Sequence, residues 1–374
     1  MHIDQILKLM VEKGASDLHL MAGSKPVMRI NGVLIPQDNF SMLTNEDTSS
    51  LLEQMASNQL RSAFRNDLEL DFAYSVSGLA RFRINVLQQR GSVSLAVRLV
   101  PFKIPTLDEL GLPEICKELV RKPRGLILIT GSAGSGKSTT LAALIDYLNE
   151  TEPRNIITIE DPIEYIFHNK KCLIHQRDLG DDTKSFDTAL THALRHDPDI
   201  MVIGEMRDLP TIATAIRAAE TGQLVIGTMH TNSSPQTLDR LIDIFPSGQQ
   251  RQVRQQLALV INAILCQRLL PRIGGGRAVA CEVLICSSVI GRYIREEKIH
   301  ELPNFMELAG EGTQTMDQAL ANLVIGKVVT LENAMIQSTQ PETLKRIIAD
   351  RKSKLVHRVD SDLKWPIPAY LQSS

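Results

Sequence analysis

The residues with the clearest chemical potential form one glycine-rich stretch, residues 131–138 (GSAGSGKS), which matches G-x-x-x-x-G-K-[ST]. Gly131, Gly134 and Gly136 let the backbone turn with positive φ and come close to an anion. Backbone N–H groups and the first turn of the following helix then point at that anion. The stretch therefore predicts a site for the phosphates of a nucleotide.

Two side chains at the end of this loop extend the prediction. Lys137 would reach the β and γ phosphates of ATP as a point charge, and the Ser138 hydroxyl would ligate Mg²⁺. The alternative is a flexible Gly/Ser loop with a chance lysine; the apolar run 126–130 before it and the helical pattern after it argue against that. The predicted nucleotide-binding residues are Gly131, Ser132, Ala133, Gly134, Ser135, Gly136, Lys137, Ser138 and Thr139.

Acidic residues follow two of the later apolar runs. Glu160, Asp161 and Glu164 come after one run, and Glu205 comes after another. Ligands bind a doubly wound sheet at the carboxyl ends of its strands, so these acids could orient a water molecule or hold Mg²⁺. They could instead complement helix dipoles, a role as plausible as catalysis for Asp161. Glu164 and Glu205 favour chemistry.

Basic residues are expected near the same edge. His230 ends the run 224–230 and could sense a γ-phosphate through a hydrogen bond, although a histidine at a strand end is often only a solvated group. Arg195, Arg207 and Arg217 are expected close by; alternatively they are ordinary surface charges.

Three more arginines lie earlier in the chain, on predicted strands. Arg81 and Arg83 share one face at period two, and Arg98 lies on the next strand. Their simplest interpretation is the wet face of a sheet. That interpretation weakens if the sheet covers a nucleotide.

Composition sets the limits within which these residues act. The chain has 374 residues, enough for two domains, and a net charge of −2, which does not favour nucleic-acid binding. The N-terminus is an amphipathic helix rather than a signal peptide, and no window holds 18 uninterrupted apolar residues, so we expect a cytoplasmic protein. Five cysteines without a C-x-x-C pair predict reduced thiols.

The elements that must position these residues divide into two patterns. Residues 1–100 alternate short helices and strands and predict a small α+β domain; 101–111, with Pro101 and Pro105, is the predicted linker. From residue 112 to 352 we expect a second domain. Its continuous apolar runs, separated by amphipathic helices, indicate a mostly parallel sheet covered on both faces.

The segments of the second domain are predicted as follows: strands 126–130, 156–160, 199–204, 224–230 and 278–285; helices 185–195, 209–221, 234–245 and a long helix over about 247–270; short helices within 287–352. A weakly ordered tail is expected over 353–374.

Taken in order, several motifs resemble one family, the type II/IV secretion ATPases, and within it the PilT-type twitching-motility ATPases. They are GSAGSGKSTTLAALIDYLN (the Walker A motif), IITIEDPIEYIF (the aspartate box), LRHDPDIMVIGEMRD (an atypical Walker B motif), AAETGQLVIGTMHTNSS (the histidine box), LARFRINVLQQRG and TMDQAL. The resemblance implies an α/β protein with an N-terminal PAS-like α+β domain. A RecA-like P-loop ATPase domain with a helical C-terminal part would follow.

The resemblance also implies residue roles. Glu205 matches the Walker B glutamate that handles Mg²⁺ and the attacking water, Glu164 the acid of the aspartate box, and His230 the second histidine of the histidine box. Arg81, Arg83 and Arg98 match arginines that close the first domain on the nucleotide. The predicted catalytic set is Glu164, Glu205, His230, Arg81, Arg83, Arg98 and Arg195, with Ser138 and Glu205 as Mg²⁺ ligands.

Three departures from the family pattern bear on function. Gln223 stands where relatives commonly carry histidine, and glutamine cannot change its charge near neutral pH. Ser132-Ala133 replaces the usual Pro-Thr. The retraction-associated segment Ala-Ile-Arg-Asn-Leu-Ile-Arg-Glu is only partly kept in residues 289–296 (VIGRYIRE).

The function implied by the resemblance is a homohexameric ATPase that uses ATP and Mg²⁺ to power type IV pilus retraction. It would act at the inner face of the cytoplasmic membrane, held there only through partners. The partners would be an inner-membrane pilus platform protein and a paralogous retraction or assembly ATPase, without nucleic acid. The alternatives are a pilus-assembly or type II secretion ATPase, whose relatives usually carry an extra N-terminal domain, and a weakly active accessory paralogue or a non-hydrolysing adaptor.

Overall fold

The chain forms two compact units. The computed structural model describes residues 2–30, 32–100, 104–310 and 312–362, without the side chains of Lys352 and residues 354–362. One unit comprises Met1–Ile104 and Ile163–His168, and the other comprises Pro105–Pro162 and Asn169–Ser374. Residues 101–103 of the predicted linker and 363–374 of the predicted tail lie outside the described residues, whereas 353–362 continue the last helix.

The N-terminal unit is an antiparallel sheet covered by helices. Its elements are α1 Ile3–Glu12, β1 Asp17–Met21, β2 Val27–Ile30, β3 Val33–Pro36, α2 Asn45–Met55, α3 Asn58–Asp67, β4 Glu69–Val76, β5 Ala80–Gln89 and β6 Ser92–Val100. The strand order is β3-β2-β1-β6-β5-β4. Helix α2 begins at a capping box, in which Thr44 and Asp47 cap each other reciprocally. Helix α3 was not predicted.

Alternation along β5 fixes which side chains face the core. Ala80, Phe82 and Ile84 are buried, whereas the residues between them point outward. The period-two pattern of the sequence thus predicts both the strand and its orientation.

The second unit is built on a seven-stranded sheet. Its elements are α4 Leu107–Leu110, α5 Ile115–Val120, β7 Gly125–Thr130, α6 Lys137–Thr151, β8 Asn155–Glu160, β9 Leu173–Asp178, α7 Phe186–Ala193, β10 Ile200–Ile203, α8 Leu209–Thr221, β11 Leu224–Met229, α9 Ser234–Asp243, α10 Ser247–Val260, β12 Ile261–Pro271, β13 Arg277–Ile285, α11 Ser288–Arg295, a 3₁₀ turn Ile299–Glu301, α12 Leu302–Leu308, α13 Met316–Ile325, α14 Leu331–Gln337 and α15 Pro341–Asp362. The strand order is β13-β12-β7-β11-β10-β8-β9, and all neighbours are parallel except β12 and β13.

Every residue of β7, β10 and β11 is buried, as expected of parallel strands covered on both faces. The predicted α/β class and the helical C-terminal part are confirmed. Five parallel pairs join β12, β7, β11, β10, β8 and β9 in that order. They bring the carboxyl ends of β7, β8, β10 and β11 to one edge of the sheet.

The predicted long helix over 247–270 is wrong in its second half. Helix α10 ends at Val260, and Ile261–Pro271 is strand β12, which pairs with β7 on one side and β13 on the other. A short apolar run has the same pattern in a buried strand as in a buried helix, so periodicity could not separate the two. Strand β9, an edge strand of mixed polarity, was also missed.

The thiols lie inside this fold. Cys116, Cys172, Cys266 and Cys281 are buried, Cys286 is half-buried, and all five are free. Burial raises the pKa of Cys116, Cys266 and Cys286 to about 12. The expectation of reduced thiols is confirmed. No helix among the described residues has both the length and the apolar content needed to cross a bilayer.

Candidate nucleotide site

The glycine-rich loop connects the end of β7 to the start of α6. Gly131, Gly134 and Gly136 all have positive φ, at 145°, 75° and 92°. A Cβ atom on Gly131 would lie 2.4 Å from Ser135 Oγ and 2.6 Å from the Gln267 carbonyl oxygen. Only glycine therefore fits there. Gly136 is the N-cap of α6 and provides no side-chain cap, so the positive end of this 15-residue helix faces the loop without a capping side chain.

Lys137 is buried at the mouth of the loop. Its ammonium donates to the carbonyl oxygens of Gly131 at 2.9 Å and Ser132 at 3.0 Å, and lies 3.4 Å from His230 Nδ1. The loop thus holds the cation over its own concave face, where a phosphate would gain from both the charge and the N–H groups.

Glu205 lies at the carboxyl end of β10, beside this lysine. Its carboxylate is 3.2 Å from His230 Nε2 and 2.5 Å from the Arg207 guanidinium. Burial alone would raise the pKa of Glu205, but Arg207 and His230 outweigh it and hold the pKa below its ordinary value. An ionised carboxylate is the form that can accept a proton from water or bind Mg²⁺. The side chains form one chain in space, Lys137–His230–Glu205–Arg207.

Two glycines allow close packing of the backbone around Glu205. A Cβ atom on Gly204 would lie 3.0 Å from Glu160 Cα and 3.1 Å from the Ile159 carbonyl oxygen. One on Gly227 would lie 2.4 Å from Met206 Sδ. The Gly-Glu pair at the end of β10 therefore has a packing reason: the backbone must pass close to β8 before it presents Glu205.

The donor set fits Mg²⁺, the cofactor that ATP hydrolysis implies. Ser138 is the second residue of α6 and is half-buried, and the Glu205 carboxylate is 17% exposed. One more oxygen of the loop, Ser135 Oγ, is buried and has no hydrogen-bond partner among the described residues. Hydroxyl and carboxylate oxygens are the ligands that Mg²⁺ takes from proteins alongside phosphate oxygens.

The other predicted acids are not in this chain of contacts. The Glu160 carboxylate accepts hydrogen bonds from Thr158 Oγ1 at 2.7 Å and Gln176 Nε2 at 3.1 Å. Asp161 is exposed. Glu164 is also exposed and lies in Ile163–His168, the segment that belongs to the N-terminal unit.

The arginines of the N-terminal unit share one face of its sheet. Arg83 lies directly opposite Arg98 across β5 and β6, and Arg81 is two residues away on the same side. The predicted shared face of Arg81 and Arg83 is confirmed. Arg98 donates to Asp17 Oδ1 at 2.8 Å. Two arginines directly opposite repel each other, so this pair does not contribute to the stability of the sheet on its own.

The predicted position of Arg195 is wrong. It follows α7 and precedes β10, and its neighbours His196 and Asp197 accept hydrogen bonds from Asn155 at the first position of β8. This is the amino edge of the sheet. The separation from the loop is roughly the length of a six-residue strand, about 20 Å. Arg195 instead lines a cleft with His175, His192 and His196.

Two other residues lie toward the same amino edge. Gln223 directly precedes β11, and its carbonyl oxygen accepts from the N–H of Gly125, the first residue of β7. Arg217 is exposed on the last turns of α8, just before that point. Gln223, which stands in place of the histidine of the family pattern, thus lies at the edge of the sheet opposite to the glycine-rich loop of its own subunit.

The partly kept segment 289–296 forms most of α11, and its glycine has a packing role. Ile290, Gly291 and Ile294 are buried, whereas Arg292 and Arg295 are exposed. A Cβ atom on Gly291 would lie 3.0 Å from the Ala258 carbonyl oxygen. Glycine, where relatives carry arginine, lets α11 pack directly against α10.

Four residues that border the loop were not predicted from the sequence. A cavity of about 400 Å³ is lined by Ser132, Ala133, Gly134 and Ser135 together with Asn232, Arg268, Leu269 and Gln337. Arg268 and Leu269 were hidden because a helix was predicted over them. Recognition of β12 as a neighbour of β7 would have placed them beside the loop.

Comparison with known proteins agrees with this geometry. The family described as Type II/IV secretion system protein matches residues 1–301. The type IV pilus retraction ATPase PilT of Pseudomonas aeruginosa is 43% identical over 343 residues, covering 91% of this chain and 99% of that protein. The type IV pilus ATPase PilU of the same organism is 39% identical over 378 residues, covering 99% of both chains.

A solved structure shows the same fold with a nucleotide bound. The crystal structure of the pilus retraction motor PilT with bound ADP superposes with a TM-score of 0.87 at 48% identity, covering 92% of this chain and 99% of that one. The glycine-rich loop, the Glu205 cluster and these similarities lead to one conclusion: the chain is an ATPase that belongs to the type II/IV secretion system protein family, among its PilT- and PilU-like type IV pilus ATPases.

Proposed function

We propose that this ATPase is the homohexameric motor that powers type IV pilus retraction. The observation that carries the proposal is the chain of contacts from Lys137 through His230 to Glu205 on a loop built for phosphate. The similarity to PilT over 91% of the chain supports retraction as its use. The motor would work at the inner face of the cytoplasmic membrane, against a platform protein of the pilus machine.

Each residue of the contact chain has a role in this proposal. ATP would draw the Lys137 ammonium from the loop carbonyls onto its phosphates, at little cost because the lysine is already in place. Glu205 would orient the attacking water, and His230 would register the γ-phosphate between the other two side chains. Ser138 and Glu205 would hold Mg²⁺, which neutralises phosphate charge.

The N-terminal unit would supply the remaining charge. Arg81, Arg83 and Arg98 are proposed to close on the nucleotide, and the repulsion between Arg83 and Arg98 would be relieved by its phosphates. Glu164, on the segment that belongs to this unit, is proposed as a further catalytic acid. Arg195 remains a candidate only for a site that another subunit completes, because it lies at the amino edge of its own sheet.

An accessory role is the second candidate. PilU matches this chain over 99% of both lengths, and Gln223 and Gly291 depart from the retraction pattern. In this role the chain would modulate a paralogous retraction ring and turn over ATP weakly.

Three experiments test the proposal and separate the candidates. Phosphate release by the purified protein should exceed that of Lys137→Ala, and equal rates would contradict the motor. A deletion strain should be hyperpiliated and unable to twitch; bald cells would indicate assembly instead. Mass photometry should show six-subunit particles with ATP, and persistent monomers would exclude the ring.

A further inference from the structure

Beside the glycine-rich loop lies a cation that the predicted site did not include. Arg268, on β12, lines the 400 Å³ cavity with the loop residues Ser132, Ala133, Gly134 and Ser135. Strand β12 continues past the end of β7, because Cys266 pairs with Thr130, the last residue of β7. Arg268 therefore stands next to the loop itself, at the edge where phosphates bind.

The charge of Arg268 is only partly compensated, because the buried Glu282 carboxylate interacts with it from beyond ion-pair distance. Its guanidinium donates to the carbonyl oxygens of Gln337 and, at 3.4 Å, of Asn232. Among the described residues, no carboxylate oxygen lies within 4.0 Å of its nitrogens. A guanidinium has five N–H donors, so two carbonyl contacts leave donors for a further acceptor. The side chain is half-buried, where a positive charge attracts an anion more strongly than it does in water.

Carbonyl oxygens are weaker acceptors for arginine than phosphate oxygens. Arginine binds phosphate through parallel, charge-assisted hydrogen bonds that are about twice as strong as neutral ones. A phosphate group in the cavity would therefore compete with Gln337 for the Arg268 guanidinium.

Gln337 connects this arginine to the C-terminal helices. It is the last residue of α14, and the turn after it is held by Asp317 of α13. The buried Asp317 carboxylate accepts from Ser338 Oγ at 2.6 Å, Thr339 Oγ1 at 2.7 Å and the backbone N–H groups of Thr339 and Gln340 at 3.2 and 3.1 Å. This anchor makes the turn 338–340 a rigid continuation of α13. The carbonyl of Gln337 is thus a defined point at which the C-terminal helices meet the cavity.

We propose that Arg268 is a second cationic ligand of the nucleotide phosphate chain. We also propose that it couples phosphate binding to the conformation of the turn after α14, residues 338–340. In the structure, the guanidinium donates to the Gln337 carbonyl. With ADP or ATP bound, some N–H groups of the guanidinium donate to phosphate oxygens instead, and its hydrogen bond to the Gln337 carbonyl weakens. The inference requires only that the protein binds ATP and does not depend on pilus retraction.

Nucleotide binding to the full-length protein tests the first half. Arg268→Gln should weaken ADP and ATP by about 10- to 100-fold, as expected for a lost hydrogen bond to a charged group. It should weaken AMP much less, because a single phosphate does not span the loop. Arg268→Lys should restore part of the loss. Arg272→Gln, an exposed arginine just past the end of β12, is the matched control and should bind all three nucleotides as the wild type does.

The ratio of AMP to ATP affinity protects this test from a folding defect, which would weaken all nucleotides together. Equal weakening of AMP, ADP and ATP, or unchanged ATP affinity, would overturn the assignment. Steady-state kinetics give a second readout: KM for ATP should rise more than kcat falls.

Hydrogen exchange tests the second half. In the wild type and in Arg272→Gln, saturating ADP should change exchange in residues 331–340. In Arg268→Gln, saturating ADP should leave the exchange rates of residues 331–340 unchanged. A full nucleotide response in Arg268→Gln would refute the coupling.

Discussion

Glu205 has two properties that a group activating water needs: it is mostly buried, and its pKa is held below the ordinary value, with Arg207 and His230 as the causes. Burial excludes competing solvent, and ionisation makes the carboxylate an acceptor. These properties come from the neighbouring strands β10 and β11 and not from Glu205 itself.

Replacement of this carboxylate should separate binding from chemistry. Glu205→Gln keeps the size of the side chain and its contact with His230 but cannot take a proton. Turnover should fall by about 10²- to 10⁴-fold, the usual contribution of a general base, while ATP affinity changes only slightly. Phosphate release and fluorescent-nucleotide binding measure the two. Weak binding with intact turnover would contradict the role given to Glu205.

Arg207 forms an ion pair with Glu205, the carboxylate proposed to hold Mg²⁺, so the guanidinium and the metal ion should compete for it. In Arg207→Gln the Mg²⁺ concentration for half-maximal activity should fall by about 2- to 5-fold, the equivalent of an exposed ion pair. The value of kcat should stay close to that of the wild type. The control is Arg217→Gln, an exposed arginine at the opposite edge. A 100-fold loss of kcat would instead make Arg207 a direct stabiliser of the reacting phosphate.

At this scale the sequence predicted the loop and its partners well. The glycines at 131 and 136 take the positive φ that the motif predicts, and Glu205 and His230 follow strands that are buried throughout. Arg195 was misplaced because a residue between a helix and a strand has no period to show which edge of the sheet it occupies. Only the pairing of Asn155 with the segment after α7 settles that.

Among the elements, β12 does more than extend the sheet. It places the Gln267 carbonyl against Gly131, Leu269 against Gly136 and Arg268 beside the cavity. Gln267 Nε2 also donates to Thr140 Oγ1 of α6 at 2.8 Å. One strand thus fixes both ends of the glycine-rich loop. Its sequence predicted a helix because strand pairing, which is a long-range property, decides its structure.

A buried carboxylate on β13 gives the sheet a pH dependence. Glu282 accepts from the N–H and Oγ of Ser234, each at 2.7 Å, and burial raises its pKa in spite of these bonds. A carboxyl whose pKa is higher in the folded than in the unfolded chain costs stability as pH rises above the unfolded value, near 4.5.

Glu282→Gln removes this titration. The free energy of unfolding of the wild type, relative to the variant, should therefore be greatest at and below about pH 4.5 and decline as the pH rises toward neutrality. Urea unfolding at a series of pH values measures the difference. A difference that stays constant with pH would show that Glu282 does not titrate in the folded protein over this range.

At the scale of the whole molecule, the N-terminal unit contains residues from two distant parts of the chain. Period two predicted the core face of β5 and the outward direction of Arg81 and Arg83, whereas β2 and β3 do not alternate in burial. What the strands could not reveal is that Ile163–His168, far along the chain, belongs to this unit. The segment carries Glu164, so each unit holds a part of the aspartate box.

Arg83 tests the proposed closure of the N-terminal unit. Arg83→Gln should lower ATP turnover by about 10³-fold or more, as expected when an arginine that stabilises the transferring phosphate is lost. The thermal stability of the protein should stay unchanged or rise. The stability would not fall because Arg83 faces Arg98. Arg90→Gln, on the turn after β5, is the control. Wild-type turnover in Arg83→Gln would exclude the closure.

The buried thiols have a practical consequence. Thiolates, not thiols, react with maleimide dyes, and the pKa of every native cysteine is raised by burial. A cysteine introduced on an exposed helix of each unit should therefore take up a fluorophore selectively, without removal of the native five. Energy transfer between two such dyes would then follow the distance between the two units through each cycle of ATP hydrolysis.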